Sequence, residues 1–334
     1  MNKETHRSNG GTCEATRGRA SFFQLVRLWI RLSRPEFHLI ALLPFVLGNL
    51  LAEFYGHPTS LSIMVLGAIG TVLIMLITYY LGEYFDYESD CINRRYNAFS
   101  GGSRVLPAGQ IRREAPLIAA LVLLLPVAAV GLLLHFYFRC GPYTIPLGVL
   151  GLAAGVFYSS KPVQWAYHGF GELLIGICYG WLAVNTGYYL QTGSFHLIGT
   201  FVALPVMTSI MAVILMNEMP DRDADKAVGK QNLVVLLGPK LSMMLYRFLI
   251  LLTLLFAFLP SAIAFSFPYH FVPLLLVPIV LRNLIASQEM EKATAKQVES
   301  LCEFTLLLNL IVLLLPLTAL IYELIRRVYW LNAL

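Results

Sequence analysis

Long apolar segments recur through most of this 334-residue chain, and they constrain its fold more than any other feature. A helix needs about 20 mostly apolar residues to cross the hydrocarbon layer of a bilayer, and nine segments are candidates, although the eighth is short. Charged residues make up only 13% of the chain, about half the fraction in a typical soluble domain. The sequence therefore predicts an all-α polytopic membrane protein with nine transmembrane helices. Their predicted bounds are Phe37–Phe54, Leu61–Gly82, Ala115–Phe138, Pro142–Tyr158, Gly171–Leu190, His196–Met216, Leu241–Phe267, Phe271–Leu281 and Leu301–Ile325.

The basic residues are distributed unevenly between the two sides of the predicted bundle. Twenty of the 24 Lys and Arg residues lie on one side and three lie on the other. The positive-inside rule then places the N-terminus and the long loops in the cytoplasm, which in a bacterium means an inner-membrane protein. The net charge of +5 is thus mostly an orientation signal. No nucleic-acid motif is present, and nucleic-acid binding is not expected.

The rest of the chain is expected to form one domain. Residues 1–20 are polar and are predicted to be a disordered tail, followed by a single transmembrane domain over residues 21–334. Residues 21–33 mix large apolar side chains with Arg27 and Arg31, a composition typical of an amphipathic helix lying in the membrane interface. The five cysteines are scattered and lack C-x-x-C spacing. Neither a disulfide framework nor a zinc site is therefore predicted.

All five aspartates fall in two short acidic clusters. The first runs from Glu83 to Asp90 and the second from Glu218 to Asp225, and both read Glu-x-x-Asp-x-x-x-Asp. Each cluster ends a predicted span on the cytoplasmic side, and four spans separate them, which indicates a repeated four-helix unit. Positions i, i+3 and i+7 share one face of a helix. The three acids of each cluster are therefore expected to project together.

Like charges at this spacing repel, and poor solvation at a membrane boundary increases the cost. A pair of Mg²⁺ ions would offset it, because Mg²⁺ takes carboxylate oxygens and often completes its coordination with water and phosphate oxygens. We therefore interpret the clusters as a metal–diphosphate site. The alternative is a pair of solvated acidic helix ends. The intervening acids, Glu88 and Asp223, are expected to face solvent or to pair with nearby arginines.

Basic side chains near the clusters are candidates for binding the diphosphate. Arg94 and Arg104 follow the first cluster, and Lys230 follows the second. Arg104 comes after Gly-Gly-Ser, where flexible backbone N–H groups can approach an anion. Lys161 is alone in its loop on the same side. The alternative for each is an ordinary positive-inside charge.

Taken together and in order, these motifs resemble the UbiA superfamily of intramembrane prenyltransferases. The similarity rests on the two acidic motifs after spans two and six, Arg34-Pro35, the Tyr-Ser-Ser-Lys-Pro stretch at 158–162 and the Gly-Lys-x-Asn-Leu stretch at 229–233. Residues 99–105 and 188–193 look most like the branch that prenylates 1,4-dihydroxy-2-naphthoate in menaquinone synthesis. One departure is clear, since the family's first motif begins Asn-Asp and this chain has Gly82-Glu83.

The resemblance implies Mg²⁺-dependent transfer of a polyprenyl group from a prenyl diphosphate to an aromatic quinone precursor within the membrane. The implied partners are these two substrates and membrane lipid, with no obligatory protein partner. No residue is identified as the base that takes the ring proton. The implied roles are catalytic for Asp86, Asp90, Asp221 and Asp225, metal-binding for these four with Glu83, Asn217 and Glu218, diphosphate-binding for Arg94, Arg104, Lys161 and Lys230, and substrate-positioning for Tyr158 and Asn97.

Two alternatives stay open at the level of sequence. Transfer to a lipid glycerol or a haem, or intramolecular terpene cyclisation, would use the same ionisation step. A cation transporter is disfavoured, because the acids lie at helix ends on one side without matching acids at mid-membrane or on the far side. The acceptor and the prenyl chain length do not follow from the sequence.

Overall fold

The computed structural model describes residues 21–264, 269–288, 290 and 293–332. Within these ranges every regular element is a helix, so the all-α prediction is confirmed for the described part of the chain. The predicted disordered tail, residues 1–20, lies outside the described residues. The α-helices are α1 Phe22–Ser33, α2 Pro35–Phe54, α3 Leu61–Phe85, α4 Tyr87–Ile92, α5 Glu114–Leu132, α6 Thr144–Ser159, α7 Gly171–Ile175, α8 Ala183–Thr192, α9 Leu197–Glu218, α10 Arg222–Ala227, α11 Leu233–Ala264, α12 Val277–Ala286 and α13 Ala295–Asn332.

Seven helical segments in the described residues are long and apolar enough to cross a membrane. They are α2, α3, α5 with its π-helical continuation Leu133–Tyr137, the α7–α8 segment joined by the π-helix Gly176–Leu182, α9, α11 and α13. Two shorter apolar segments, α6 and His270–Ala286, occupy the fourth and eighth predicted positions. The chain is thus an integral membrane protein. Seven of the nine expected spans have spanning length, whereas the other two are shorter than a full crossing, and the eighth extends beyond its predicted bounds.

The amphipathic helix forms where it is predicted, as α1. Its N-terminus is fixed by a capping box between Ser21 and Gln24. Phe22 and Phe23 on one face are 74% and 82% exposed. The opposite face packs on α3, where Trp29 makes an edge contact with Tyr80 at 5.4 Å between ring centroids. An exposed apolar face on a helix attached to the bundle is the arrangement expected of an interfacial helix.

Helix α9, which carries the second acidic cluster, packs against α2, α11, α13 and the α7–α8 segment. Its side chains are largely buried, and hydrogen bonds between helices supplement the apolar packing. Thr253 of α11 donates to Thr208 at 2.8 Å, and Asn309 of α13 donates to Ser209 at 2.8 Å. Such bonds contribute to helix association where lipid supplies no hydrophobic driving force. The second cluster is thereby attached to a well-supported helix.

Neither acidic cluster lies on one continuous helix. The helical i, i+3 and i+7 spacing assumed for the acids was therefore wrong. Helix α3 ends at Phe85, so that Asp86 lies between α3 and α4, and α9 ends at Glu218, just before Asp221 and α10. In the second cluster Pro220 lacks the N–H that an unbroken helix needs. In both, a break also relieves the repulsion between stacked like charges. The four-helix repeat itself stays a prediction.

Candidate active site

A cavity of ≈ 350 Å³ extends from the two acidic clusters into the helix bundle. Carboxylates of both clusters line its mouth, namely Glu83, Asp86, Asp90, Glu218, Asp221 and Asp225. Apolar side chains line the deeper part, among them Phe45, Met75, Leu134, Leu147 and Leu182. The cavity is therefore polar at one end and apolar at the other. This polarity suits a ligand with a charged head and a long apolar tail.

Lys230 lies between the clusters and bridges them. Its Nζ is 3.5 Å from Asp86 Oδ1 and 3.6 Å from Asp225 Oδ2. The Tyr167 hydroxyl donates to Asp86 Oδ1 at 2.8 Å, and the Asn232 amide donates to Asp225 Oδ2 at 2.9 Å. Burial alone would lower the pKa of Lys230, but the carboxylates of Asp225 and Asp86 outweigh it and raise that pKa well above its ordinary value. The bridging ammonium is therefore charged at neutral pH.

Lys230 does not compensate the charge of all these acids. Burial raises the pKa of Asp90 well above its ordinary value, and the neighbouring Asp86, Glu83 and Asp221 raise it further. Burial also raises the pKa of Asp221, and it raises the pKa of Asp225 to about 6 even though Lys230 opposes the shift. Raised carboxyl pKa values mean that the ionised forms lack sufficient positive charge nearby. The mouth of the cavity is thus an environment that favours binding of a cation.

The loop between α4 and α5 folds over both clusters and connects them. The Gly101 N–H donates to Asp221 Oδ2 at 2.9 Å, and the Asn93 amide donates to Asp221 Oδ1 at 2.6 Å. The Ser103 N–H and hydroxyl donate to the two carboxylate oxygens of Glu83, each at 2.7 Å. This one loop, residues 93–113, therefore holds an acid of each cluster through direct hydrogen bonds.

The backbone conformation of this loop requires glycine at two consecutive positions. Gly101 and Gly102 have φ of +71° and +66°, in the left-handed region that favours glycine. A Cβ on Gly102 would collide with the Asp90 carboxylate, and one on Gly101 would collide with Tyr96. Arg104, the next basic residue, donates to the Asp90 backbone carbonyl and lies 4.1 Å from the centroid of the Tyr96 ring. The loop is thus closely fitted to the first cluster.

The structure brings together most of the residues predicted for the site. Besides the six carboxylates, Asn217, Lys230 and Tyr158 line the cavity. Arg94 and Lys161 are exposed, and neither they nor Arg104 and Asn97 belong to the lining among the described residues. Asn97 shapes the loop, since its side-chain oxygen accepts the Phe99 N–H at 2.8 Å. The diphosphate and substrate roles of these four remain predictions.

The two intervening acids behave as expected. Asp223 pairs with Arg95 at 3.1 Å and with Arg222 at 3.3 Å, and more than half of its side chain is exposed. Glu88 is likewise exposed and lies 3.6 Å from Arg113. Exposed pairs of this kind contribute little to stability, so these acids are not part of the buried site.

Several residues that hold the acids were missed by sequence reasoning. Asn93 follows Asp90 by three residues, and this helical spacing was a signal that could have identified it. Ser103 and Asn232 lie inside motifs but were assigned no role. Tyr167 had no local signal, because its contact with Asp86 spans 81 positions of the chain. Such long-range partners depend on helix packing rather than on sequence spacing.

Three buried oxygens of cavity-lining residues lack a hydrogen-bond partner among the described residues, namely Ser159 Oγ, Asn217 Oδ1 and Glu218 Oε2. Buried polar atoms without partners are costly and uncommon in native proteins. All the acidic and amide oxygens at the mouth are hard donors of the kind that Mg²⁺ and Ca²⁺ prefer. No group of three His, Cys, Asp or Glu in the described part of the chain converges as a ready-made metal site. A metal here would therefore need ligands beyond these side chains.

Most of the chain matches a known protein family. Residues 41–309, which include both acidic clusters and the cavity lining from Ala41 onward, match the UbiA prenyltransferase family. The chain belongs to this family. The predicted family resemblance is thereby confirmed, and the chain is an enzyme, a prenyltransferase.

Individual UbiA relatives agree with this assignment. The 1,4-dihydroxy-2-naphthoate octaprenyltransferase of Bacillus subtilis (strain 168) is 27% identical over 215 residues, which cover 64% of this chain and 66% of that protein, just under two thirds of its length. The UbiA prenyltransferase domain-containing protein 1 of Xenopus tropicalis is 24% identical over 284 residues, 84% of this chain and 80% of that one.

A solved structure shares the fold. The UbiA homologue from Archaeoglobus fulgidus, determined bound to GPP and Mg²⁺, superimposes with a TM-score of 0.61 at 16% identity, covering 86% of this chain and 99% of that one. At this identity the likeness establishes the fold and not the ligands of the present chain.

Proposed function

We propose that this UbiA family member catalyses Mg²⁺-dependent transfer of a polyprenyl group from a prenyl diphosphate to an aromatic quinone precursor, with 1,4-dihydroxy-2-naphthoate as the first acceptor to test. The observation that carries the proposal is the cavity, with six carboxylates and Lys230 at its mouth and apolar walls beyond. The relative from Bacillus subtilis bears the name of such an enzyme. The homologue from Archaeoglobus fulgidus binds GPP and Mg²⁺.

The residues at the mouth fit Mg²⁺, on the grounds of their oxygen donors, raised pKa values and unpartnered oxygens. Mg²⁺ usually binds through one or two carboxylates and completes its coordination with water and substrate phosphates. The lack of a three-acid group in the described residues agrees with that habit. Asp86 and Asp90 of one cluster and Asp221 and Asp225 of the other would hold two ions, supported by Glu83, Asn217 and Glu218. Bound Mg²⁺ would neutralise charge on the diphosphate.

The chain's own residues have distinct tasks in this proposal. Lys230 binds diphosphate oxygens, and the apolar walls hold the prenyl tail. The bond between the prenyl C1 and the diphosphate oxygen breaks, and both electrons leave with the oxygen. Aromatic rings in the cavity wall, including Phe37 and Tyr158, stabilise the resulting allylic cation. A ring carbon of the acceptor then forms the new C–C bond, and aromaticity is restored when that carbon loses its proton, or its carboxylate as CO₂, with the bonding electrons returning to the ring.

Substitution of one aspartate in each cluster tests the proposal. Asp86→Ala and Asp221→Ala should abolish Mg²⁺-dependent formation of prenylated product while the protein still inserts and purifies as a monodisperse species. Asp223→Ala is the matched control, since that exposed carboxylate lies in the second cluster but outside the cavity lining. Product is measured by mass spectrometry from labelled prenyl diphosphate. Full activity in both cluster variants would contradict the assignment.

The acceptor is tested with the same reaction. Labelled prenyl diphosphate is incubated with and without 1,4-dihydroxy-2-naphthoate, and all labelled products are identified. A dihydroxynaphthoate-dependent product supports the aromatic acceptor. Labelled glycerolipid, prenylated haem or a cyclic terpene formed without it would support the other acceptors, or cyclisation, on the same site.

The proposal also includes topology. We infer nine membrane crossings built from a repeated four-helix unit, with the N-terminus and the acidic clusters in the cytoplasm, as the distribution of basic residues indicates. Single cysteines introduced at His57, before α3, and at Arg94, after α4, should be labelled by an impermeant thiol reagent from opposite sides of the membrane. Labelling of both from one side would refute it.

A further inference from the structure

Two tyrosine hydroxyls form a polar pair in the wall of the cavity. Tyr79 of α3 and Tyr179 of the π-helix Gly176–Leu182 have their hydroxyl oxygens 3.1 Å apart, and both residues line the cavity. Among the described residues, this is the single hydrogen bond of either hydroxyl. The pair lies one helical turn below Glu83 on α3. It therefore sits between the acidic mouth and the apolar depth.

The positions of both rings are fixed by packing. Gly176 and Gly180 let the π-helix approach α9 so closely that a Cβ on either would collide with Met211 or Met207. Short π-helical segments occur frequently at functional sites. On the other side, the Tyr79 ring packs against Phe37 and His38, with centroids 6.1 and 5.6 Å away. The two hydroxyls are thus held close together by the packing of two separate helical segments.

The hydrogen-bond inventory of the pair leaves one donor over. Each tyrosine hydroxyl has one hydrogen to donate and can also accept. The contact between Tyr79 and Tyr179 uses one of the two hydrogens, so the other O–H has no acceptor among the described residues. A buried donor without a partner costs free energy. A ligand oxygen in the cavity would relieve that cost.

The parts of the proposed substrates differ in whether they can accept this hydrogen bond. A prenyl tail is a hydrocarbon and has no acceptor. The diphosphate is expected among the carboxylates and Lys230 at the mouth, where its charge is compensated. The remaining candidate is an oxygen of the aromatic acceptor, whose ring must also lie near the prenyl C1 for the C–C bond to form.

We infer that Tyr79 and Tyr179 are positioning residues that donate a hydrogen bond to a ring hydroxyl or phenolate oxygen of the aromatic acceptor. The ligand class is a hydroxylated aromatic ring. The inference rests on the proposed prenyl transfer, and it adds the groups that orient the acceptor. Holding one ring oxygen against a fixed hydroxyl pair would set which ring carbon faces the allylic cation.

The test uses Tyr79→Phe, Tyr179→Phe and the double variant of the full chain in detergent. Initial rates are measured while 1,4-dihydroxy-2-naphthoate and geranyl diphosphate are varied separately. The acceptor KM should rise about three- to tenfold in the double variant, the effect of losing about one hydrogen bond. The KM for geranyl diphosphate should stay within about twofold. Tyr246→Phe is the control, because it removes a buried hydroxyl bonded to Thr305 outside the cavity lining.

A second readout separates positioning from a purely structural effect. 1-Hydroxy-2-naphthoate and 4-hydroxy-2-naphthoate each lack one ring hydroxyl, and their inhibition constants are compared with the KM of the full acceptor. The wild type should discriminate against at least one analogue, and the double variant should lose that discrimination, as the coupling logic of a double-mutant cycle requires. If the double variant does not fold, Tyr179→Phe carries the same comparison.

The outcomes distinguish the inference from the function on which it rests. Wild-type transfer to 1,4-dihydroxy-2-naphthoate, with an unchanged acceptor KM and unchanged discrimination in the variants, overturns the role of the tyrosine pair alone. Failure of the wild type to prenylate any hydroxylated aromatic acceptor overturns the proposed function and this inference with it. A rise in the KM for geranyl diphosphate alone would also overturn the inference, because the pair would then serve the donor.

Discussion

Replacement of Lys230 by methionine tests the electrostatics of the site, because this ammonium contacts one carboxylate of each acidic cluster. Methionine keeps most of the length and volume of the side chain but removes the charge. The Nζ lies 3.5 Å from Asp86 and 3.6 Å from Asp225. Each contact at that distance is worth about 4 kcal/mol at the effective dielectric of a partly buried pair, before the cost of burying the charges.

Desolvation of the ammonium offsets part of this attraction, and the net loss on breaking a buried pair is about 3–5 kcal/mol. In a chain of 334 residues that corresponds to a fall in the apparent Tm of roughly 4–7 °C. The raised pKa of Lys230 means that its contribution is fully present below the ordinary lysine pKa and is lost only as the pH rises through the raised value. At pH 7.5 the comparison is therefore free of lysine titration.

Thermal unfolding in detergent at one fixed scan rate, with EDTA or with Mg²⁺ and a prenyl diphosphate analogue, measures the effect. The variant should be less stable than the wild type in EDTA, and the deficit should narrow when cations supply the missing positive charge. Lys226→Met is the matched control, since Lys226 is exposed on the preceding helix. Equal stability of Lys230→Met and wild type in EDTA, or a deficit that Mg²⁺ leaves unchanged, would refute the reasoning.

Two further predictions concern the loop and the acids. Gly102→Ala should abolish prenyl transfer, because its Cβ would collide with the Asp90 carboxylate at a φ of +66°, whereas Gly56→Ala, with φ +83° and open space around it, should retain activity in the same assay. In the metal-free protein burial raises the pKa of Asp225 to about 6. Protonation of Asp225 therefore stabilises the folded state at low pH, and this contribution is lost as the pH rises through about 6. Mg²⁺ affinity should therefore weaken below pH 6, and binding should release protons. Calorimetry in buffers of different ionisation enthalpy measures both effects. An affinity that does not change between pH 5 and 7 would contradict this prediction.

The composition of the site could be predicted from the sequence because its acids are concentrated. When every aspartate of an apolar chain lies in two matching motifs, the pattern alone identifies the polar end of the bundle. Lys230 was also found, since it follows the second motif by five residues. These features depend only on order along the chain and on which residue types the membrane tolerates.

The details that make the site work depend on packing and were not predictable in this way. The contact of Tyr167 with Asp86 and that of Glu172 with the Leu233 N–H join segments far apart in sequence. The breaks at Asp86 and Pro220 replace the continuous helices that motif spacing suggested. The eighth span was predicted over Phe271–Leu281, whereas the apolar helical segment runs over His270–Ala286, because prolines blur the ends of apolar stretches.

The departure at Glu83 acquires a physical meaning from the loop that covers it. An aspartate is one methylene shorter than a glutamate, whereas the carboxylate of Glu83 reaches both donors of Ser103 at 2.7 Å. The same loop reaches the second cluster through the Gly101 N–H on Asp221. Glu83 therefore ties the first cluster to a loop that also holds the second. A residue that departs from the family pattern at one metal motif thus contributes to the registration of both, and the change at position 83 bears on how the clusters are held together more than on the charge they carry.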